Sequence, residues 1–456
     1  MTMFRVQFRM QKVLSLIGLF LSVWLLRPIQ GTAAEIHPKR IVVKNGITLL
    51  IIEQPSLPIV NIEVLVKAGS IYDPETKAGL ANLVANLLDE GTRTRSSAEI
   101  AEAIDFVGGS LSTSGGDDYS TVSVRILKKD LNLGLDLLAD VLMNPVFLQT
   151  ELDRKRGEII GTILAEQDDP GIVAEKAFND LIFSPHPYHR PVNGLESTLP
   201  AITRADLIEF HERYYRPNNI LIAIVGDITE PETSALMSKY FGAWEPKKAK
   251  PPVLPRAHKL DHKTVQLIDK DLTQASIILG HLGIDRKNPD YYAVIVMNYI
   301  LGGGGFSSRM LTHIRDDQGL AYSVSSYFDA NAYPGSFTAS LQTKNSSAKP
   351  AIQGLLEEIK KIRERPVTDQ ELEDAKAFLI GSFPLRLDTT SKLSHLLAIV
   401  EFYGLGLDYL EKYPRLIRSV TKEDVLRVAR KYLDPERYAL VVVAKQSEAK
   451  VGDLKP

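Results

Sequence analysis

Alternating apolar and polar residues mark several short segments of this chain as strands. Every second residue of segment 59–66 is apolar, which is the pattern of a strand that buries one face. Segment 119–127 alternates in the same way. The Asn45-Gly46 pair stands between two apolar runs and predicts a hairpin turn, because both residues tolerate a positive φ.

Helical patterns separate and follow these strands. Ser96 and Glu99 have the spacing of a capping box, and Gly108-Gly109 would end the helix that this box opens. Further helices are predicted over 77–90, 130–142, 149–167, 172–182, 347–364, 368–383 and 388–403.

The second half of the chain repeats the pattern of the first. Asp206 and Tyr214, followed by an apolar strand, have counterparts at Asp424 and Tyr432, again followed by an apolar strand. Because the repeating unit is as long as a whole domain, the pattern indicates two duplicated domains.

We therefore expect an α+β protein with two homologous domains, each a mainly antiparallel sheet covered by helices on one face. The predicted domains span 35–243 and 263–448, followed by a tail at 449–456. Segment 244–262 is rich in proline and basic residues, which is typical of a stiff, solvated linker.

Composition excludes several function classes. The chain has 54 lysines and arginines against 56 acidic residues, and this balance does not indicate nucleic-acid binding. It contains no cysteine, so disulfides, thiolate zinc sites, iron–sulfur clusters and cysteine nucleophiles are excluded.

Residues 1–34 have the pattern of a secretory signal peptide. Three cations, at Arg5, Arg9 and Lys12, precede the apolar run 13–26, and small residues before Glu35 supply a cleavage site. A membrane anchor is the alternative, but so short a run spans a bilayer poorly. We expect an exported mature chain without a membrane span, in the bacterial periplasm.

Several motifs together resemble the pitrilysin-like inverzincin family of zinc peptidases, which includes insulin-degrading enzyme and the two-chain mitochondrial processing peptidase. The resemblance covers nearly all of the expected mature chain. The motifs that carry it lie at residues 78–92, 186–191, 215–226, 301–309 and 315–324.

The resemblance fails at the residues that bind zinc in this family. There, a His-x-x-Glu-His helix and a later Glu supply the ligands and the general base. The aligned positions here are Asn82, Ala85, Asn86 and Thr162, none of which is a His or a carboxylate. The sequence therefore predicts that this chain holds no family-type zinc and no catalytic residue of its own. The two asparagines are either polar residues at the wall of a former metal cavity or donors to a peptide backbone.

Arg315 and Tyr322 match an Arg and a Tyr that face the zinc across the closed cavity in the family. A guanidinium can hold substrate carbonyls, and a tyrosine hydroxyl can donate to an oxyanion. The alternative is a solvated helix-end arginine and an ordinary strand tyrosine. The nearby run Gly302, Gly303, Gly304, Gly305 resembles the glycine-rich loop of the inactive subunit in two-chain relatives, which helps to admit substrate, or it is a plain turn that opens a helix.

The histidines form no pattern of a metal site. His186 and His189 lie in a proline-rich segment of the family scaffold, and His258 and His262 lie in the linker. We expect all four to be structural or solvated, and we expect His313 to lie on a helix surface.

The resemblance implies a non-catalytic subunit of an exported heterodimeric zinc peptidase that acts on unfolded peptides. Zinc would sit on a homologous partner chain with an intact motif, and this chain would contribute Arg315 and Tyr322. Two other hypotheses remain: a stand-alone peptide-binding or scaffold protein, and an independent enzyme with different chemistry.

Overall fold

The computed structural model describes residues 37–247 and 251–454, so the predicted signal peptide lies outside the described residues. Within these two ranges, no helix is long and apolar enough to cross a membrane. The chain from Pro38 onward forms one compact unit built on two sheets.

The first sheet takes all its strands from residues 39–226, and the second takes its strands from residues 264–444. The six strands of the first sheet are β1 (Lys39–Val42), β2 (Thr48–Glu53), β3 (Ile59–Val66), β4 (Ser110–Gly115), β5 (Ser120–Leu127) and β6 (Ile220–Gly226). The five strands of the second are β7 (Thr264–Asp269), β8 (Gln274–Leu282), β9 (Ala321–Ala330), β10 (Pro334–Lys344) and β11 (Ala439–Ala444).

Their spatial orders are β1-β2-β6-β3-β5-β4 and β7-β11-β8-β10-β9. The β2–β6 and β7–β11 pairs are parallel, and the other neighbours are antiparallel. Strands β4 and β9 therefore form corresponding outer edges of the two sheets.

The α-helices before the linker are α1 (Leu80–Asn86), α2 (Ser97–Phe106), α3 (Leu131–Met143), α4 (Gln149–Glu166), α5 (Pro170–Phe183), α6 (Arg204–Tyr214) and α7 (Glu230–Phe241). Those after it are α8 (Tyr291–Asn298), α9 (Ala348–Glu364), α10 (Asp369–Gly381), α11 (Thr390–Tyr403), α12 (Tyr409–Arg418), α13 (Lys422–Tyr432) and α14 (Gln446–Ala449).

Each sheet buries one face under helices of its own half, which confirms the predicted α+β class. In the first half, Val60, Ile62 and Val64 of β3 join a core with residues of α1 to α4. In the second half, Leu440 and Val442 of β11 join the equivalent core. The two-fold repeat in the sequence is thus matched by a repeat in the packing.

The opposite face of each sheet receives one helix from the other half. Helix α11 lies against β3 and β6, where Thr390 accepts a hydrogen bond from Asn61 and His395 contacts Glu63 at 3.0 Å. Helix α5 lies against β8 and β11 through Phe178. This exchange joins the halves and was not expected from the sequence.

Two local predictions need correction. The helix expected over 77–90 is only Leu80–Asn86, because Gly79 has a left-handed backbone conformation, with φ 100°, and so cannot belong to the helix. Strand β4 was not predicted, because Ser-Leu-Ser-Thr-Ser-Gly lacks the apolar alternation of a buried strand.

Candidate functional site: a degenerate metal helix and an arginine–aromatic cluster

Helix α1, which carries most of the degenerate zinc motif, is anchored at its start by Asp73. The two oxygens of this buried carboxyl accept hydrogen bonds from the backbone N–H of Gly79 at 2.8 Å and of Ala81 at 2.9 Å. Burial raises the pKa of Asp73 to about 7, against the opposite effect of these N–H groups and of Arg190. The helix therefore begins at a defined place without a capping side chain at Gly79.

Asn82 and Asn86 lie one turn apart on α1 and satisfy each other. The Nδ2 of Asn86 donates to the side-chain oxygen and to the backbone oxygen of Asn82, both at 2.8 Å. The Nδ2 of Asn82 donates to Oδ1 of Asn193 at 3.2 Å. Gly115 of β4 lies so close that a Cβ there would come within 2.7 Å of the Asn82 Cα. The two asparagines thus form a hydrogen-bonded wall next to an edge strand.

The other two positions of the motif lie in unlike surroundings. Ala85 is fully buried, whereas Thr162 is exposed on α4. The Thr162 hydroxyl donates a hydrogen bond to the backbone carbonyl of Glu158 at 3.1 Å. Glu158 itself pairs with Arg154 and Lys155 on the helix surface.

These residues do not fit zinc. Amides that already bond each other, a methyl group and an exposed hydroxyl offer no set of anionic or imidazole ligands. Across residues 37–247 and 251–454, no group of three or more His, Asp or Glu side chains is arranged to hold a metal ion.

Arg315 and Tyr322 do lie together, at the exposed face of the second half. The guanidinium carbon of Arg315 is 5.7 Å from the centre of the Tyr322 ring and 5.1 Å from that of Phe306. The nearest carboxylate is that of Asp316, at 3.9 Å. The Arg315 charge is thus held by two aromatic rings and lacks a close ion pair, so its N–H groups are available to carbonyl or carboxylate oxygens. We call Phe306, Arg315 and Tyr322 the arginine–aromatic cluster.

A β-bulge presents Tyr322. In the pairing of β9 with β10, Ser323 faces Gln342 and Ala321 faces Thr343, which leaves Tyr322 as the extra residue. A bulge redirects the side chain at the extra position, and the Tyr322 side chain is 81% exposed. Because β9 is an outer strand, the cluster lies at an unpaired sheet edge.

The four glycines lead directly into this cluster. Helix α8 ends at Asn298 and continues as a π-helical turn through Gly303, and a 3-10 turn over Gly305–Ser307 follows, so the glycines lie between two helical segments. Gly302 packs against Ser326 of β9, where a Cβ would meet the Ser326 hydroxyl at 2.6 Å. Gly305, with φ 57°, then turns the chain into Phe306. The sequence reasoning missed Phe306, although an aromatic residue directly after a glycine run was the available signal.

In the structure, Phe306 links the glycine run to Arg315. Asn82 is hydrogen-bonded to Asn86. In the described part of the chain, no hydrogen bond, ion pair or ring contact joins the α1 asparagines to the arginine–aromatic cluster.

His186 is buried and contacts the rings of Tyr188 and Tyr333, where it joins the two halves. Its Nδ1 accepts from the N–H of Tyr188 at 3.2 Å, and burial lowers its pKa to about 4. His189 contacts Asp180, His258 and His262 are exposed in the linker, and His313 contacts Gln318.

The two-sheet fold with a degenerate metal helix defines a peptidase-type protein that lacks the family's ligands. Residues 48–194 match the family described as "Insulinase (Peptidase family M16)", and residues 201–379 match "Peptidase M16 inactive domain". The chain belongs to the M16 peptidase family, and the pitrilysin-like resemblance is confirmed.

Relatives and solved structures agree with this assignment. The chain is 30% identical to an uncharacterized zinc protease of Streptomyces coelicolor over 402 residues, which is 87% of each chain. It is 31% identical to one of Mycobacterium tuberculosis, over 90% of this chain and 94% of the relative. A structure titled as a peptidase M16 inactive domain from Pseudomonas fluorescens is 28% identical with a TM-score of 0.84, over 89% of this chain and 98% of that one.

Proposed function

We propose that this chain is the non-catalytic subunit of an exported two-chain M16 peptidase that cleaves unfolded peptides. The observation that carries the proposal is the contrast between α1 and the arginine–aromatic cluster. The positions on α1 that align with the family's metal ligands hold asparagines, while a partly exposed Arg315 and an exposed Tyr322 lie together, with the nearest carboxylate of Arg315 at 3.9 Å.

In this proposal a homologous partner chain binds zinc and supplies the attacking water. The Arg315 guanidinium holds a carbonyl of the bound peptide by charge-assisted hydrogen bonds. The Tyr322 hydroxyl donates a hydrogen bond to the oxyanion that forms from the scissile carbonyl. Both side chains act by binding and orienting, and neither transfers a proton from the water.

Peptide affinity would come from the edges of the sheets. Strands β4 and β9 each pair on one side only, and β4 adjoins Asn82. An extended peptide that adds to such an edge is held mainly by backbone hydrogen bonds, with little demand on its sequence. This mode suits unfolded peptides as the substrate class.

The test starts with the tagged mature chain, used to capture its partner from an envelope extract. We expect a near-stoichiometric chain with an intact His-x-x-Glu-His motif, and a reconstituted pair that hydrolyses an unfolded peptide. Arg315→Ala should lower kcat/KM of the pair about 10- to 100-fold, the equivalent of the roughly 1.5–3 kcal/mol of a hydrogen bond to a charged group. Arg418→Ala, which removes an exposed arginine of α12, serves as the matched control.

Full activity of the Arg315→Ala pair would contradict the role given to Arg315. Capture of no homologous chain, together with binding of an unfolded peptide by this chain alone, would favour the stand-alone peptide-binding protein. The open edges of β4 and β9 are the observation that supports this second candidate.

A further inference from the structure

A small basic cavity of about 130 Å³ lies where the linker, the end of β8 and the last turns of α9 and α13 meet. None of its lining residues belongs to α1 or to the arginine–aromatic cluster. Its cations come from four different segments of the chain. The charged wall consists of five cations and one carboxylate: Lys259, Arg363, Arg430, Lys431, Arg437 and Asp434.

Three of these cations have no carboxylate to neutralise them. Arg437 pairs with Asp434 at 2.8 Å, and Lys431 pairs with Asp290, outside the cavity wall, at 2.8 Å. In the part of the chain that the structure describes, the remaining three form no ion pair; they are Lys259, Arg363 and Arg430. The cavity therefore carries a surplus of positive charge.

The Nε of Arg363 is a donor atom of one of the cations that line the cavity. It is buried and has no hydrogen-bond acceptor within the described structure. A buried donor without an acceptor costs about 1–3 kcal/mol, and more when the group is charged. An anion that binds the other N–H groups of Arg363 in the cavity would neutralise the guanidinium and offset part of this cost.

His281 cannot supply the missing acceptor. Its Nε2 already accepts the backbone N–H of Asp434 at 3.1 Å, so its Nδ1 carries the proton and donates to the carbonyl of Leu282 at 3.0 Å. Burial lowers the pKa of His281, and the charges of Lys259 and Arg363 lower it further. The imidazole is thus neutral and held in place by two backbone groups.

The C-terminal ends of two helices offset only part of the positive charge of the cavity. Arg363 and Arg430 lie in the last turns of α9 and α13, and Arg430 donates to the carbonyl of Arg363 at 2.9 Å. Each helix end carries roughly half a negative charge, so the two ends together offset about one cation. Three unpaired cations exceed that, and Lys259 belongs to the linker and to no helix.

We propose that this cavity binds a phosphate-type oxyanion. A guanidinium matches two oxygens of such a group, and Lys259 adds a third charged donor from the linker. The anion would neutralise the Arg363 guanidinium and tie the linker to the second half of the chain. Its source is either free phosphate or a phosphate group on a larger molecule, such as a lipid headgroup.

The test is calorimetric titration of inorganic phosphate into the full mature chain, at constant ionic strength in a chloride buffer. We expect saturable binding of phosphate. Arg363→Gln should weaken this binding at least tenfold and Lys259→Gln should also weaken it, whereas Arg418→Gln should leave it unchanged. Lys259 is exposed on the linker, so its variant tests the cavity even if the Arg363 variant fails to fold.

Vesicles of phosphatidylglycerol, compared with phosphatidylcholine, distinguish the two sources. If the chain sediments with phosphatidylglycerol vesicles, and if both free phosphate and Lys259→Gln abolish this sedimentation, the site binds a lipid headgroup. If the chain binds phosphate but does not sediment with the vesicles, the site binds the free ion. Heat of phosphate binding that is absent, or equal in the wild type and both cavity variants, would overturn the proposal.

Discussion

Helix α1 and the arginine–aromatic cluster differ in how their polar groups are satisfied. On α1, Asn82 is 5% exposed and bonds Asn86 and Asn193, so its amide is fully used within the chain. In the arginine–aromatic cluster, the nearest carboxylate to Arg315 is that of Asp316, at 3.9 Å, and the Tyr322 side chain is 81% exposed. The polar groups of α1 are hydrogen-bonded within the chain, whereas those of the arginine–aromatic cluster remain available to another molecule.

This difference separates a polar residue that is satisfied within the fold from one that another molecule can bind. Buried polar groups must be hydrogen-bonded, so a pair that bonds itself adds stability and offers little to a ligand. An arginine held only by aromatic rings keeps its five N–H donors. Substitutions in the two regions should therefore have different effects, of which a buried charge on α1 should have the largest and the loss of one ring beside Arg315 the smallest.

Restoring the general base on α1 should damage the fold. Ala85→Glu places a carboxylate at a fully buried position, and we expect the free energy of unfolding to fall by about 3 kcal/mol or more. Thr162→Glu, at the exposed motif position, should change it by less than about 0.5 kcal/mol. Urea denaturation of the two variants measures both effects. Equal stability of Ala85→Glu and the wild type would show that the region around α1 is still open.

The anchor of α1 should make stability depend on pH. The folded chain raises the pKa of Asp73 from 3.8 to about 7, so between these values the folded state holds a proton that the unfolded state has lost. This carboxyl therefore stabilises the fold less as pH rises from about 4 to 7, by an amount on the order of 3 kcal/mol.

The slope of unfolding free energy against pH, compared between the wild type and Asp73→Asn, isolates this contribution. His186 and His211 have pKa values lowered to about 4 and act in the opposite direction, but they contribute equally in both proteins. Asn loses one backbone acceptor at every pH, so its constant destabilisation does not alter the slope. Identical slopes would contradict the assignment to Asp73.

Removing the amide at the centre of the α1 wall should cost stability. Asn82→Ala leaves Asn193 without its donor and removes one of the two acceptors of Asn86, so we expect a loss of about 1–2 kcal/mol. Thr162→Ala, on the exposed surface of α4, is the control. Denaturation of both variants gives the difference, and no loss for Asn82→Ala would mean that the amides are not structural.

Removing the ring that holds Arg315 should have the smallest effect. Phe306→Ala loses one cation–π contact, worth roughly 0.5–1 kcal/mol at an exposed site, so kcat/KM of the reconstituted pair should fall about two- to fivefold. Phe306→Trp should retain the contact. Phe106→Ala is the matched control, since Phe106 is 89% exposed on α2. We expect the loss mainly in KM, and an unchanged kcat/KM would show that Phe306 does not position Arg315.

Much of the fold could be predicted because local patterns persist in the tertiary structure. The Asn45-Gly46 turn and the Ser96–Glu99 capping box both form as predicted. The strand 220–226 is apolar at every position before its final glycine, a pattern of burial on both faces. That pattern does not reveal that the second cover is α11 from the other half, because the covering residues lie in a distant part of the sequence.

The sequence by itself determined that this chain lacks the zinc ligands, because the chemistry of Asn82, Ala85, Asn86 and Thr162 is the same in any fold. Only the tertiary structure decided what became of those positions and which residues surround Arg315. The bulge at Tyr322 depends on the register of β9 against β10, and the ring contact of Phe306 depends on the turn at Gly305. Both are set by contacts between distant segments, which no local pattern of residues encodes.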